Sequence, residues 1–206
     1  GSKVKLVPAI ETRYGAVFMN QKYKSNSFSI GVIFKMNSPK EKSDGMIFWY
    51  LHRMPNFSKD SQRIHAISQD TNGLAVWLYK TNDNKWRLFA YYDRGNGEPV
   101  ETAKVNPSNS CTLVLDPTVV PVKIRIEKIV NKLSIFVNDE SIESQTWRNW
   151  VSFHNKFLNF KGYFGLSAGN LENIVNDIDL FGIRVDDLDP NSVYFPKDDS
   201  EAEIRY

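Results

Sequence analysis

Short apolar runs, separated by polar and turn-forming residues, follow one another along most of the chain. Val122, Ile124 and Ile126 alternate with charged residues, which is the period-two pattern of a strand that buries one face. Other runs are continuous, β-branched and aromatic, and cover residues 28–34 and 73–79, with a third at 85–92. Many short strands with turn signals between them predict an all-β protein, folded as a two-sheet antiparallel β-sandwich.

The sequence predicts different kinds of connection between these runs. Residues 80–84 are all polar and predict a loop. Residues 133–137 repeat the alternation of the preceding strand, so Asn131 and Lys132 are expected as the two-residue turn of a hairpin. Helical signal is scarce, but residues 143–157 carry large apolar side chains at three- and four-residue steps and predict a short surface helix.

The segment Ser43–Tyr50 joins a polar corner to five large apolar residues. Its Asp44-Gly45 pair is a turn-forming dipeptide, because glycine tolerates positive φ and aspartate can bond its own backbone. One interpretation is therefore a plain hairpin turn. The other is a binding group, because an aspartate at the mouth of a buried strand is fixed by the strand and kept wet by the loop.

Composition limits the classes of function. The chain has 206 residues, 41% hydrophobic and 13% aromatic, which fits one globular domain. A net charge of +2, with both signs interspersed, argues against nucleic acid as a partner. No apolar run approaches the roughly 20 residues of a membrane span. Cys111 is the single cysteine, so an intramolecular disulfide is excluded and the residue is interpreted as a small buried hydrophobe.

The order of several motifs resembles the L-type (legume-type) lectin domains of ER–Golgi cargo receptors, as a divergent member. The segments that carry the resemblance are Val4–Pro8, Arg13–Phe18, Ser43–Tyr50, Gly162–Gly169 and Asp177–Leu180. The resemblance spans roughly Val4 to Val185. It implies a concanavalin A-like jelly roll, with a lectin-like domain at residues 3–185. Residues 186–206 are rich in Asp, Pro and Ser, and this composition predicts an extended tail.

The resemblance also implies a sugar site. Asp44 matches the sugar-binding aspartate of the family, and Gly169, Asn170 and Leu171 match its backbone-donating loop. Asp83 stands where the family has a sugar-binding amide. A carboxylate accepts hydrogen bonds from sugar hydroxyls, and backbone N–H groups donate to the remaining oxygens.

The metal site of the family matches less well. Tyr79 stands where the first metal carboxylate is expected, which leaves Thr81, Asp83 and Asp93 as doubtful metal ligands. The segment that follows, residues 93–101, is shortened and holds no histidine. Because Ca²⁺ usually needs more than one carboxylate, we expect no cofactor or only weak Ca²⁺. Alternatively, asparagines of the 80–84 loop organise it without metal.

The three histidines of the chain match no ligand spacing and are interpreted as surface or satisfied core residues. They are His52, His65 and His154.

The resemblance implies a carbohydrate-binding domain in the lumen of the endoplasmic reticulum or Golgi, recognising mannose-type glycans on glycoprotein cargo. A membrane anchor of the parent protein would lie outside these residues. The alternative is a protein-interaction domain on the same scaffold, with degenerate metal and sugar sites. An enzyme is disfavoured, because glycoside hydrolysis needs two carboxylates about 5–10 Å apart. The acidic runs, at residues 139–140 and 186–189, lie in turn or tail contexts.

Overall fold

The computed structural model describes residues 3–8, 10, 13–23, 25–37, 43–57, 65, 67, 71–81, 83, 85–94, 110–112, 117–119, 121–139, 148–154, 158–170 and 177–188. Residue 24 and the side chains of residues 43–44, 93–94, 138–139, 148–151 and 153–154 are outside this description. The regular elements are β1 Val4–Val7, β2 Tyr14–Phe18, β3 Phe28–Met36, β4 Ser43–Leu51, β5 Asn72–Lys80, β6 Trp86–Arg94, β7 Ser110–Thr112, β8 Val122–Ile129, β9 Lys132–Asp139, β10 Arg148–His154, β11 Tyr163–Gly169 and β12 Ile178–Asp187.

These strands form two six-stranded sheets. Sheet 1 has the order β1-β12-β3-β8-β9-β10, and sheet 2 has the order β2-β11-β4-β5-β6-β7. Every neighbouring pair is antiparallel. The predicted all-β, two-sheet antiparallel sandwich is confirmed. None of the described residues forms a helix long and apolar enough to cross a membrane.

The main core fills the space between the sheets. Its inward-facing residues alternate along the strands, as in Phe28, Ile30 and Val32 of β3, all of them buried. Across the core, Phe28 meets Phe164 of β11 edge to face, with ring centroids 4.5 Å apart. Such aromatic pairs add about 0.5–1.5 kcal/mol beyond the area that they bury.

A second apolar cluster lies on the other face of sheet 2. Its buried members are Ile47, Trp49, Leu51, Ile67, Ala75, Trp77 and Phe89. The middle strands β4 and β5 are therefore buried on both faces. This explains why the sequence of β4 is continuously apolar instead of alternating.

The hairpin of β8 and β9 differs from the prediction by one residue. Ile129 pairs with Lys132, so the turn residues are Val130 and Asn131 rather than Asn131 and Lys132. Val130 has a φ of 53°, a left-handed conformation that a β-branched residue rarely adopts. The alternation alone predicted both strands but did not determine the turn, since this turn lacks the usual glycine.

The predicted surface helix at residues 143–157 is wrong where the structure describes it. Residues 148–154 form β10, an edge strand paired with β9. Aromatic and β-branched residues at mixed spacing suit a strand when a neighbouring edge is free to pair. Residues 143–147 and 155–157 lie outside the described residues.

The last described strand runs beyond the expected domain end. β12 continues to Asp187, and the buried Leu188 donates its N–H to the Ser27 carbonyl at 3.2 Å. The rest of the predicted tail, residues 189–206, lies outside the described residues. Cys111 is a free, partly buried thiol packed against the main core, and burial raises its pKa to about 11.

Candidate functional site

The Asp44-Gly45 pair forms a bulge inside β4 instead of a hairpin turn. The pairing of β4 with β5 shifts register between Ser43 and Met46. Gly45 has a φ of 61°, and a Cβ there would lie 1.8 Å from the Leu78 carbonyl oxygen. Only glycine fits this close approach. A bulge interrupts the regular pairing of a strand and is common beside binding sites, and this one lies where β4 begins.

Gly169 and Asn170 lie at the same end of sheet 2 as this bulge. Ala168 of β11 pairs with Met46 of β4, so the residues that follow Ala168 continue toward Gly45 and Asp44. Gly169 also pairs with Tyr14 of β2, which places it between two strands. Leu171, the third residue expected in this loop, lies outside the described residues.

Asn170 braces the loop rather than facing solvent. Its side chain is fully buried, and Nδ2 donates to the carbonyl oxygens of Pro8 at 2.7 Å and Ile10 at 2.9 Å. Its backbone N–H donates to the Arg13 carbonyl at 2.8 Å. These N–H groups hold the connection between β1 and β2 and are not directed to a ligand.

The β5–β6 loop closes on itself at the same end of the sheet. Lys80 pairs with both Ser43 and Trp86, and the Thr81 N–H donates to the Lys85 carbonyl at 2.9 Å. The Thr81 hydroxyl also contacts that carbonyl at 2.9 Å, and it donates to Asp83. The loop is thus ordered by its own hydrogen bonds.

Cations of the protein surround Asp83. Lys85 Nζ lies 3.5 Å from a carboxylate oxygen of Asp83, and an Arg87 guanidinium nitrogen lies 3.7 Å from the same oxygen. The Thr81 hydrogen bond, with help from these cations, lowers the pKa of Asp83. The carboxylate is ionised at neutral pH, but its charge is already balanced by neighbouring side chains.

Tyr79 takes an apolar place where a metal carboxylate was expected. Its ring lies 4.9 Å from Trp77 and 5.9 Å from Phe89, measured between centroids. Burial raises the pKa of its hydroxyl. Tyr79 therefore extends the second apolar cluster and offers no carboxylate.

The predicted metal ligands Thr81, Asp83 and Asp93 do not all lie at the same end of sheet 2. Asp93 pairs with Gly73, whereas Trp86 pairs with Lys80 beside the loop, so Asp93 lies at the opposite end of β6. At roughly 3.3 Å per residue this separation is about 20 Å or more. Sequence order placed Asp93 after the strand, but the strand itself carries the residue away from Asp83.

The described donors do not fit a Ca²⁺ site. The ion takes about six to eight oxygen ligands, usually with more than one carboxylate. Within the described part of the chain, no three histidine, cysteine, aspartate or glutamate residues are grouped so as to hold a metal. Asp83 is the one carboxylate described at the loop, and Lys85 and Arg87 already neutralise it.

His65 is the residue near this site whose role the sequence did not reveal. Its imidazole is buried beside β11, with Nδ1 2.9 Å from the Ser167 hydroxyl. That hydroxyl accepts a hydrogen bond from Trp49 Nε1 at 2.7 Å. Burial lowers the pKa of His65 to about 3, so it is neutral at physiological pH. No spacing motif could have found it, because its neighbours come from β4 and β11.

Comparison with known proteins gives the family. The model of the legume-like lectin family matches residues 1–193. The chain belongs to the legume-like lectin family. No curated protein sequence matches this legume-like lectin.

Solved structures of lectin domains share the fold of this legume-like lectin. The VIP36 exoplasmic/lumenal domain bound to Ca²⁺ and Man3GlcNAc has a TM-score of 0.73 and 17% identity, over 94% of this chain and 82% of that chain. A legume lectin-like domain from Entamoeba histolytica has a TM-score of 0.71 and 14% identity, over 91% and 84%. The Emp46p carbohydrate recognition domain has a TM-score of 0.70 and 16% identity, over 89% and 81%.

Proposed function

We propose that this domain is a carbohydrate-binding lectin that recognises mannose-type glycans on glycoprotein cargo, in the lumen of the endoplasmic reticulum or Golgi. One observation carries the proposal: the Asp44-Gly45 bulge of β4 and the Gly169 end of β11 lie at the same end of sheet 2. Asp44 supplies the carboxylate that accepts from sugar hydroxyls, and the loop that begins at Gly169 and includes Leu171 forms the neighbouring part of the site.

The family and one structural neighbour support a sugar as the ligand. The VIP36 domain, which shares this fold, is bound to Man3GlcNAc. Fold alone does not determine function, so the proposal depends on the site residues. We also propose that the site binds sugar without hydrolysing it. Asp186 of the acidic tail run is paired with Arg184 at 2.9 Å on sheet 1, away from this site.

The proposed function includes no essential metal. Thr81, Asp83, Lys85 and Arg87 order the β5–β6 loop through their own contacts. In this arrangement Asp83 helps to order the loop at the edge of the site, and the role of a loop-fixing cation is taken by the two basic side chains.

Titration of Man3GlcNAc into the wild type and Asp44→Asn, in buffer with EDTA, tests the proposal. Asparagine keeps the shape of Asp44 but removes the charge, and hydrogen bonds to a charged group contribute about 1.5–3 kcal/mol each. Affinity should therefore fall by about tenfold or more. Thermal unfolding of both proteins serves as the control for folding. Equal affinities of the two proteins would reject Asp44 as the anchor, and binding that needs Ca²⁺ would reject the metal-free site.

A protein-interaction domain on the lectin scaffold is the second candidate. Tyr79 is the observation that favours it, because an aromatic residue packed on Trp77 and Phe89 stands where a metal carboxylate was expected. If neither the wild type nor Asp44→Asn binds any glycan of a mannose-rich array, this second function is favoured.

A further inference from the structure

We propose that His65 is a positioning residue for the glycan site, holding the end of β11 where Gly169 lies beside the Asp44-Gly45 bulge. The inference rests on the proposed function and extends it to a residue outside the resemblance. Its basis is a chain of buried contacts that links β4, β11 and the segment between β4 and β5.

A chain of hydrogen bonds holds the imidazole of His65. Trp49 of β4 donates through Nε1 to the Ser167 hydroxyl at 2.7 Å, and His65 Nδ1 lies 2.9 Å from the same oxygen. All three residues are buried. Because Ser167 and Gly169 are two positions apart on β11, they face the same side of sheet 2. The imidazole is therefore held on the face from which Gly169 is approached.

The imidazole of His65 also lies against Gly169. A Cβ added to Gly169 would lie 2.7 Å from His65 Cδ2 and 2.7 Å from Tyr14 Cδ1. The glycine is thus enclosed between two rings, with no room for a side chain. Any shift of the imidazole changes the space that fixes the Gly169 backbone.

The position of His65 is energetically unfavourable in two respects. Its φ is 56°, in the left-handed region, and its Nε2 has no hydrogen-bond partner among the described residues. Strained backbone and an unsatisfied buried polar atom each lower the stability of the folded chain. Such costs are concentrated at functional sites, where the surrounding structure holds a residue in place.

The test compares His65→Asn with His52→Asn. Asparagine tolerates positive φ and offers an oxygen near the place of Nδ1, but it removes the ring edge that contacts Gly169. His52→Asn is the matched control, because it also removes an imidazole that contacts a hydroxyl. In the wild type, His52 Nε2 lies 2.8 Å from the Tyr92 hydroxyl and the ring stacks on Phe160 at 3.6 Å. His52 directly follows Leu51, which pairs with Gly73 at the opposite end of sheet 2.

Two measurements are made on each variant: the affinity for Man3GlcNAc, and amide hydrogen exchange at Gly169 and Asn170. For His65→Asn we expect affinity to fall by about tenfold and exchange at both amides to become faster. For His52→Asn we expect the affinity and the exchange of these two amides to stay at wild-type values. If His65→Asn fails to fold, Ser167→Ala, which removes the hydroxyl contact and keeps the ring, should change both readouts in the same direction.

The outcomes separate this inference from the proposed function. Wild-type affinity and wild-type exchange in His65→Asn would overturn the positioning role, as would an equal loss of affinity in His52→Asn. If the wild type itself does not bind Man3GlcNAc, the proposed mannose specificity fails. The exchange measurement then decides the positioning role alone: faster exchange at Gly169 and Asn170 supports it, and unchanged exchange rejects it.

Discussion

Single residues depart from the sequence pattern where the fold imposes an unusual environment. Lys128 continues the inward face of β8 after Val122, Ile124 and Ile126, and its side chain is fully buried. Its ammonium group donates to the Asn26 carbonyl and lies over the rings of Phe28 at 5.6 Å and Tyr50 at 5.7 Å. Burial lowers its pKa to about 8. Alternation predicts the direction of the side chain, but not the partners that make its burial tolerable.

Val130 gives a prediction at this scale. Replacing it with asparagine should stabilise the domain by about 1 kcal/mol, because asparagine tolerates positive φ and valine does not. For a domain of this size the melting temperature should rise by about 2–4 °C. The hydrogen bond from the Val130 N–H to the Ser27 hydroxyl, at 3.3 Å, is kept.

Calorimetry of Val130→Asn beside Val119→Asn measures this effect. Val119 is more exposed than Val130, 69% against 41%, and its φ is not positive. The control should leave the melting temperature unchanged. An unchanged or lower melting temperature for Val130→Asn would show that the turn is not strained.

At the scale of elements, strands were predictable and their partners were not. The runs at residues 28–34, 73–79 and 85–92 were recognised, and the observed strands differ at their ends by one or two residues. The strands β5 and β6 end on the polar residues Lys80 and Arg94, which a hydrophobic pattern does not mark. The pairing of β12 with β3 joins distant segments of the chain, and no local signal encodes it.

The candidate site was predictable to the same extent. Motifs predict Asp44 and Gly169 as site residues, and the register of β4 and β11 brings their segments together. Asp93 was assigned by its position after a strand, and the length of that strand carries it to the far end of the sheet. His65 was missed because its role depends on contacts with Ser167 and Gly169, which only the folded chain brings together.

A substitution of Asn170 tests whether its side chain stabilises the end of sheet 2 that carries the candidate site. Asn170→Ala removes two hydrogen bonds to the backbone after β1, from Nδ2 to Pro8 and Ile10. We expect a loss of about 1–3 kcal/mol in the free energy of unfolding, measured by urea denaturation. Asn159→Ala is the control, since Asn159 accepts one exposed hydrogen bond from Asn26 at 3.0 Å. A comparable loss in both variants would contradict the bracing role of Asn170.

At the scale of the whole molecule, buried titratable groups make the domain sensitive to acid. His65 has a pKa of about 3 in the fold, against 6.5 for a free imidazole. Burial would raise the pKa of Asp179, but hydrogen bonds from Lys3, Lys5 and Asn37 outweigh it and lower the pKa to about 2, from 3.8. In both cases the group binds a proton at a higher pH in the unfolded chain than in the folded chain, so the free energy of unfolding decreases as the pH falls.

The two groups act in different pH windows, which makes their contributions separable. Stability that depends on neutral His65 is complete above pH 6.5 and decreases as the pH falls toward about 3. Within this window one such group lowers the free energy of unfolding by up to about 1.4 kcal/mol per pH unit. The contribution of ionised Asp179 is lost only below pH 3.8. Half-buried His52, whose pKa burial also lowers, adds a smaller loss in the first window.

Urea denaturation of the wild type and His65→Asn between pH 7.5 and 4 measures the contribution of His65 to the pH dependence of the free energy of unfolding. Asparagine does not titrate, so the free energy of unfolding of the variant should depend less steeply on pH below 6.5, although its value at pH 7.5 is lower than that of the wild type. Asp179→Asn should keep the wild-type slope in this range, because its window lies at lower pH. Parallel curves for the wild type and His65→Asn would mean that the imidazole accepts a proton in the folded state, contrary to its burial beside Ser167 and Gly169.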